Sequence, residues 1–291
     1  MILQLLIKGL SLGAVYALIA IGFSLLWQTS RTINFAQGEF VTLPAFIMVL
    51  LAFVLKIPFA IALILTIIIS GFLLGYLMNR VLVRPLIEEG VLPLVVATIA
   101  LGFMVRDSLI IAWTPEALHF PSLVPKIPLH LGAAAFSAVD LWNIFVATLI
   151  ISGLHLFVKK TKTGKALQAV SQDREVANIL GINVPKMILF AFMLNAIISA
   201  FSAILIAPIY MVKYDMGVEL GLKAFYAAII GGFNQTRGAL LGGLLVGLIE
   251  TFTAAYISTQ YKGAFVLIIL MVVILFKPEG LLGEKEIYEY R

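Results

Sequence analysis

Long runs of apolar residues alternate with short polar segments in this chain, and the lengths of the runs predict membrane-spanning helices. A run of about 18 or more apolar residues can cross the hydrocarbon core of a bilayer. Four stretches reach that length without a charge: Leu10–Trp27, Ile57–Asn79, Leu141–Val158 and Met187–Val212. Further candidates are Phe40–Leu55, Val91–Trp113 and an interrupted C-terminal region, Ala224–Phe276. The pattern predicts an all-α, polytopic integral membrane protein of eight or nine spans, with residues 1–291 as a single transmembrane domain.

The composition agrees with this class of protein. The chain is 62% hydrophobic and 12% charged, whereas soluble domains average roughly 45–50% apolar and about 25% charged residues. Its 20 basic residues exceed its 15 acidic ones, which in a membrane protein reflects basic cytoplasmic loops and does not indicate a nucleic-acid partner. Cysteine is absent, so disulfides, thiolate metal sites and cysteine nucleophiles are excluded.

The loop charges predict the orientation of the chain. The densest basic cluster lies between residues 159 and 186, so the positive-inside rule places that loop in the cytoplasm. Counting spans back from it places Thr114–Ala138 outside, Arg80 and Arg84 inside, and the N-terminus outside. Near the C-terminus, GGFNQTRG (231–238) leaves two alternatives. A cytoplasmic turn there gives nine spans, and a kink within one span gives eight.

Small residues recur at a spacing of four, which lets helix backbones approach closely. The pairs are Gly9/Gly13, Gly71/Gly75, Gly238/Gly242 and Gly243/Gly247. We expect them to pack helices within one subunit rather than to form a dedicated dimer face.

Polar residues inside or beside the spans are the candidates for function, because charges in the bilayer are costly. Glu250 is the best candidate for a buried carboxylate. Arg106 need not pair with its neighbour Asp107, because adjacent positions on a helix point in different directions. Arg106 also lies closer to the outer interface. The segment NFAQGEF (34–40) is predicted to be a cytoplasmic turn. We expect Asn34, Gln37 and Glu39 to brace that turn at the inner mouth of a pathway, with a purely structural role as the alternative.

Residue patterns for covalent chemistry are missing from the sequence. There is no G-x-x-x-x-G-K-[ST] phosphate loop and no G-x-S-x-G elbow. The three histidines, His119, His130 and His155, lack metal-ligand spacing. The sequence therefore predicts no catalytic residue, no metal site and no cofactor on this chain, and a protein that is not an enzyme.

The cytoplasmic loop 159–186 is too long and too patterned for a simple turn. Ala166, Leu167 and Val170 share one helical face, and Val176, Ala177 and Leu180 share another. Ser171 or Asp173 can cap the second helix, and Gly181 suits its C-terminal end. Two alternatives remain from the pattern alone: a helix lying on lipid headgroups, or a docking element for a soluble partner.

A resemblance to a known family favours docking. The chain resembles the branched-chain amino acid permeases of ABC importers in a series of segments that occur in the family's order. They are GAVYALIAIGFSLLW, INFAQGEF, R-x-x-x-RP at 80–85, ALQAVSQDREVANILGIN, GLKAFYAAIIGGF, GALLGGLLVGLIE and KPEGLLG. The resemblance covers nearly the whole chain and is closest to the shorter of the two permease subunits. Two departures are Gln37, where the family usually has histidine, and GGFNQTRG, which is bulkier than the family's usual turn.

The resemblance implies a permease-like fold and a set of partners. They are a second permease subunit (as a hetero- or homodimer), two cytoplasmic ATP-binding subunits and an extracytoplasmic solute-binding protein, all at a prokaryotic inner or plasma membrane with its lipids. It also implies a coupling element comprising Asp173, Arg174, Glu175, Ala177 and Gly181. The expected function is ATP-driven import of branched-chain amino acids. The alternatives are import of another small polar solute, such as urea, a short amide or a sugar, and a stand-alone secondary carrier.

Overall fold

Helices make up most of the computed structural model, which describes residues 1–113, 116–120, 124, 127–131 and 134–283. The α-helices are α1 (Ile2–Ser30), α2 (Glu39–Val49), α3 (Phe59–Ser70), α4 (Arg84–Leu86), α5 (Val91–Ala112), α6 (Ala138–Lys160), α7 (Lys162–Gln172), α8 (Arg174–Ile179), α9 (Val184–Tyr210), α10 (Met216–Gly231), α11 (Thr236–Tyr256) and α12 (Lys262–Phe276). A 3-10 turn (Phe35–Gly38) precedes α2, and π-helical segments continue α2 (Leu50–Val54) and join α3 to α4 (Gly71–Leu77, Asn79–Val83).

Seven helical stretches in the described part of the chain are long and apolar enough to cross a membrane. They are Ile2–Ser30, Phe35–Val54, Phe59–Leu86, Val91–Ala112, Ala138–Lys160, Val184–Tyr210 and Thr236–Tyr256. The shorter helices α10 and α12 accompany them. The prediction of a polytopic helical membrane protein is thus confirmed, with one addition. Strands β1 (Pro128–Leu131) and β2 (Ala134–Ser137) form an antiparallel hairpin in the predicted outer segment, of which the rest is only partly described.

The GGFNQTRG segment is a true turn between two antiparallel helices. Gly231 at the end of α10 packs against Gly238 at the start of α11, and Ala227 packs against Gly242 further along both helices. The indole Nε1 of Trp27 donates a hydrogen bond to Asn234 Oδ1 at 2.7 Å, so the turn lies at the C-terminal end of α1. The alternative of one kinked span is therefore excluded, because α10 and α11 are separate helices. The described residues hold seven stretches of spanning length and the two shorter helices α10 and α12.

The segment after α12 returns to this same end of the molecule. Leu281 N donates to Ile230 O at 2.8 Å and Leu282 N donates to Gly231 O at 2.9 Å. Gly280 has a φ of +84°, a conformation that glycine adopts without strain. These backbone bonds place residues up to 283 beside the turn, so the segment after α12 and the turn lie at the same end of the molecule. The charged residues from 284 onward lie outside the described residues.

The predicted glycine pairs pack helices within the chain. A Cβ at Gly13 would lie 2.8 Å from Leu244 Cα, and one at Gly9 would lie 3.1 Å from Leu248 Cα. From the other side of this contact, Gly243 faces Ala17 and Gly247 faces Gly13. Since only glycine leaves room for such a close approach, α1 and α11 form the central packed pair of the bundle.

Candidate functional site

The polar turn before α2 is held by amide side chains. Asn34 Oδ1 accepts a hydrogen bond from Ala36 N at 3.0 Å and so starts the turn Phe35–Gly38. Gln37 Nε2 donates to Asn195 Oδ1 at 3.0 Å, and Asn195 Nδ2 donates back to Gln37 Oε1 at 2.9 Å. Both side chains are fully buried, so this reciprocal pair supplies the hydrogen bonds that buried amides require.

This turn lies deeper than the sequence suggested. Gln37 Nε2 also approaches Ile19 O at 3.5 Å, and a Cβ at Gly22 would collide with Asn195 Oδ1. Gln37 therefore sits beside the middle of α1, about 17 Å along the helix from Ser30 at 1.5 Å per residue. The expected location of these residues, the inner mouth of a pathway, stays a prediction. The chain turns back after α1 and carries its polar residues towards mid-helix depth before α2 begins.

Glu39 pairs with Arg106 across two helices. Glu39 Oε1 lies 3.3 Å from Arg106 Nε. Arg106 points back along α5, where the same nitrogen donates to Gly102 O at 3.3 Å and the guanidinium lies 4.7 Å from the ring centroid of Phe103. Because long helical side chains lean towards the N-terminus of their helix, the Arg106 charge lies nearer mid-span than its sequence position indicated.

A second ionic cluster surrounds Glu250, whose predicted burial is confirmed. Glu250 Oε1 lies 2.8 Å from Lys223 Nζ and 2.7 Å from Lys262 Nζ, and Glu250 Oε2 accepts from the Tyr16 hydroxyl at 2.9 Å. Lys223 also pairs with Glu219 at 2.6 Å. Sequence reasoning missed Lys223 because it began that apolar segment one residue later. The carboxylate four positions earlier was the available signal.

The coupling loop has the local structure that its sequence predicted. Asp173 Oδ1 accepts from Val176 N at 2.9 Å and caps α8. Gly181 ends the turn after α8 with a φ of +83°, and its N donates to Asn178 O at 3.0 Å. The cap and the terminal glycine are therefore confirmed. Arg31 Nη2 donates to Ser171 O at 3.3 Å, which brings this loop to the C-terminal end of α1.

Some apolar residues of the loop are buried against the bundle, and others are exposed. Leu167 and Val170 of α7 are buried against the spans, and so is Ala177 of α8. Val176, Ile179 and Leu180 are exposed instead, Ile179 to 83%. The predicted shared face of Val176, Ala177 and Leu180 is therefore wrong. Because α8 is a short helix, Ala177 anchors it to the chain while its larger apolar residues face outward.

Two charged residues of the loop differ in their surroundings. Glu175 is exposed, whereas Arg174 is partly buried, and its Nε and Nη2 have no hydrogen-bond partner among the described residues. Burial lowers the pKa of Arg174, and the nearby charge of Arg31 lowers it further. A second molecule that brought a carboxylate or carbonyl oxygen to this guanidinium would satisfy it.

Comparisons with known proteins agree on one family. The family described as branched-chain amino acid transport system / permease component matches residues 5–275. The chain is 33% identical to the high-affinity branched-chain amino acid transport system permease protein BraD of Pseudomonas aeruginosa, over 98% of this chain and 97% of that protein. It is 29% identical to the corresponding permease protein LivH of Salmonella typhimurium, over 98% of this chain and 96% of that protein. Among solved structures, PsaBC from Streptococcus pneumoniae in complex with Fab matches with a TM-score of 0.49 at 15% identity, covering 95% of this chain and 92% of that chain.

Proposed function

This chain belongs to the family of branched-chain amino acid transport permeases, and from that premise we propose that it is the transmembrane subunit through which an ABC importer admits branched-chain amino acids to the cell. Residues 1–291 form one permease domain in this proposal, and residues 159–186 are its coupling loop. The observation that carries the coupling role is the exposed apolar surface of α8, formed by Val176, Ile179 and Leu180, at the end of the bundle assigned to the cytoplasm.

The α8 surface suits a protein partner better than water. Large apolar side chains grouped on one short helix mark a contact surface, and the unpartnered nitrogens of Arg174 add a polar anchor beside it. The partners in this proposal are two cytoplasmic ATP-binding subunits, a second permease subunit and an extracytoplasmic solute-binding protein. ATP hydrolysis takes place on the ATP-binding subunits, and this chain carries no cofactor and performs no catalysis.

Replacing Gly181 with valine tests the coupling role. The strain of a β-branched residue at φ +83° is about 1–3 kcal/mol, and a Cβ there meets no other atom within 4 Å. The change therefore disturbs the backbone without a clash. We expect uptake of radiolabelled leucine by cells carrying the full transporter to fall sharply, with less ATP-binding subunit in pull-downs and an unchanged level of permease in the membrane. Glu175→Lys reverses an exposed charge on the same element and should act in the same direction.

Two controls separate coupling from general damage. Gly153→Val adds the same side chain in α6, where a Cβ also meets no other atom, and should leave uptake intact. Gly181→Asn should retain most uptake, because asparagine tolerates a left-handed conformation. Normal uptake and normal pull-down in both Gly181→Val and Glu175→Lys would contradict the coupling role. A wild-type chain that takes up leucine without any ATP-binding subunit would instead be a stand-alone carrier.

A further inference from the structure

A cavity of about 270 Å³ lies between the start of α2, the middle of α5 and the first turns of α10. Its walls are largely apolar and include Phe23, Phe35, Ile99, Phe103, Val218 and Phe225. Asn34, Glu39 and Arg106 also line it. Its volume equals that of about nine water molecules in the liquid, which is room for one small organic molecule.

Two buried polar atoms belonging to residues of this cavity lack partners. By hydrogen-bond geometry Glu39 Oε2 and Asn34 Nδ2 have no partner among the described residues, although neither atom is accessible to solvent. Besides Arg106, the Thr42 side chain is a polar neighbour of the Glu39 carboxylate. Native structures leave few buried polar groups unsatisfied, and each such group calls for an explanation. One atom is a negatively charged hydrogen-bond acceptor and the other is a neutral donor, and both belong to residues that line one cavity.

The open side of the cavity carries the charge of Arg106 among apolar side chains. The Arg106 side chain is 24% exposed, and the large apolar residues around it, among them Phe35 and Phe103, are exposed as well. A charged side chain within a span faces the bundle interior, a partner or a water-filled space, because exposure to lipid is costly. Contact with a water-filled translocation pathway or with a second permease subunit would suit the Arg106 charge on this face better than lipid.

We propose that this cavity is a binding site for the transported amino acid within the membrane. The Glu39 carboxylate receives the ammonium group, Arg106 and the Asn34 amide receive the carboxylate, and the apolar wall contacts the aliphatic side chain. Because Glu39 Oε2 and Asn34 Nδ2 are buried in this structure, these two side chains rotate towards the cavity when the ligand binds. The assignment rests on the proposed function, since it takes the branched-chain amino acid as the ligand. It gives each unpartnered group of the cavity a complementary group on one zwitterion and leaves the remaining surface for hydrocarbon.

A single introduced cysteine reports occupancy of the cavity, because the chain has none of its own. Val218 lines the cavity and is 37% exposed, so Val218→Cys presents a reachable thiol. The experiment measures the rate at which a small thiol reagent labels this chain in the purified complete transporter without ATP. We expect leucine to slow labelling in proportion to occupancy. The matched control, Glu89→Cys, lies on an exposed segment away from the cavity and should label at an unchanged rate.

Ligand analogues and variants then test each contact. The keto acid of leucine lacks the ammonium group and 3-methylbutylamine lacks the carboxylate, so both should protect less than leucine. Adding Glu39→Gln to Val218→Cys should raise the leucine concentration for half-protection about 10-fold to 100-fold, the effect of losing a hydrogen bond between charged groups. Gly102→Leu should fill the cavity and abolish protection. Gly102→Ala should keep it, because a Cβ there makes only ordinary contacts of 3.7–4.0 Å.

The results separate this site from the proposed function. Equal protection by leucine and its keto acid, or an unchanged half-protection value in Glu39→Gln, overturns the site when the unmodified transporter takes up leucine normally. Absence of leucine uptake by the unmodified transporter with its partners would contradict the proposed function instead. Protection by leucine that requires Glu39 and is lost in Gly102→Leu supports the site.

Discussion

The two buried ionic clusters of this chain differ in how completely their groups are paired. Around Glu250, one carboxylate oxygen meets Lys223 and Lys262, and the other accepts from Tyr16. Around Glu39, one oxygen meets Arg106 and the other has no partner among the described residues. The first cluster joins the packed helices α1, α9, α10, α11 and α12, whereas the second lines a cavity.

The difference shows how a membrane protein can use charge for two purposes. A buried charge that is fully paired costs little beyond its desolvation, but removing its partner leaves an uncompensated charge. We therefore expect the Glu250 cluster to hold the helices together. A carboxylate beside a cavity with only one of its oxygens paired can still accept a hydrogen bond from a ligand. We accordingly expect mutations in the first cluster to affect mainly stability, and those in the second to affect mainly transport.

Glu250→Gln should have the largest effect on stability. It leaves Lys223 and Lys262 without their main partner, and breaking a buried pair costs about 3–5 kcal/mol. Since Glu219 remains beside Lys223, we expect a loss at the lower end of this range, about 3 kcal/mol of unfolding free energy. The measurement is the thermal unfolding midpoint of the purified protein, which should decrease. The control Glu219→Gln changes a half-exposed carboxylate of the same cluster and should cost less. Equal unfolding midpoints for Glu250→Gln and wild type would contradict the expectation that the Glu250 cluster stabilises the fold.

Glu39→Gln should cost less stability but more transport. Arg106 is already partly exposed, so water can hydrate it when the carboxylate is lost, and we expect a loss of about 1.5 kcal/mol, the lower value for a hydrogen bond to a charged group. Leucine uptake should nevertheless fall more than in Glu250→Gln when each is divided by the amount of folded permease in the membrane. A larger loss of normalised uptake in Glu250→Gln than in Glu39→Gln would contradict the assignment of transport to the Glu39 cluster and of stability to the Glu250 cluster.

Tyr210→Phe should have the smallest effect of the three. It removes a hydroxyl that accepts from Lys223 at 2.9 Å, shares a hydrogen bond with the Tyr16 hydroxyl at 2.9 Å and donates to Glu250 Oε1 at 3.4 Å. Because Lys223, Tyr16 and Glu250 remain bonded to one another, the expected loss is about 1 kcal/mol, the value of one net hydrogen bond. The matched control is Tyr226→Phe, which removes a hydroxyl at the cavity that has no hydrogen bond to a described residue. We expect a measurable decrease of the unfolding midpoint for Tyr210→Phe and none for Tyr226→Phe. A larger decrease of the unfolding midpoint in Tyr226→Phe than in Tyr210→Phe would mean that the hydroxyl at the cavity contributes more to stability.

Several parts of the site could be read from the sequence because they depend on near neighbours. The cap at Asp173 and the positive φ at Gly181 follow from residues within one helical turn. The burial of Glu250 followed from a carboxylate in an apolar run. Other parts could not be read in this way. Gln37 pairs with Asn195, and Glu39 pairs with Arg106, through contacts between distant segments that no local pattern specifies.

The sequence by itself determined the helices, because in a bilayer the backbone hydrogen bonds must be satisfied within each apolar run. It also determined which residues cap and end the coupling helix. Only the tertiary structure decided how deep the polar turn lies, which charges meet and which are left half-paired. Those features depend on how helices far apart in the chain approach one another. Close contacts between glycines, such as those between α1 and α11, set the distance between helices. Small residues in the sequence show that a helix can approach another closely, but they do not show which helix it packs against.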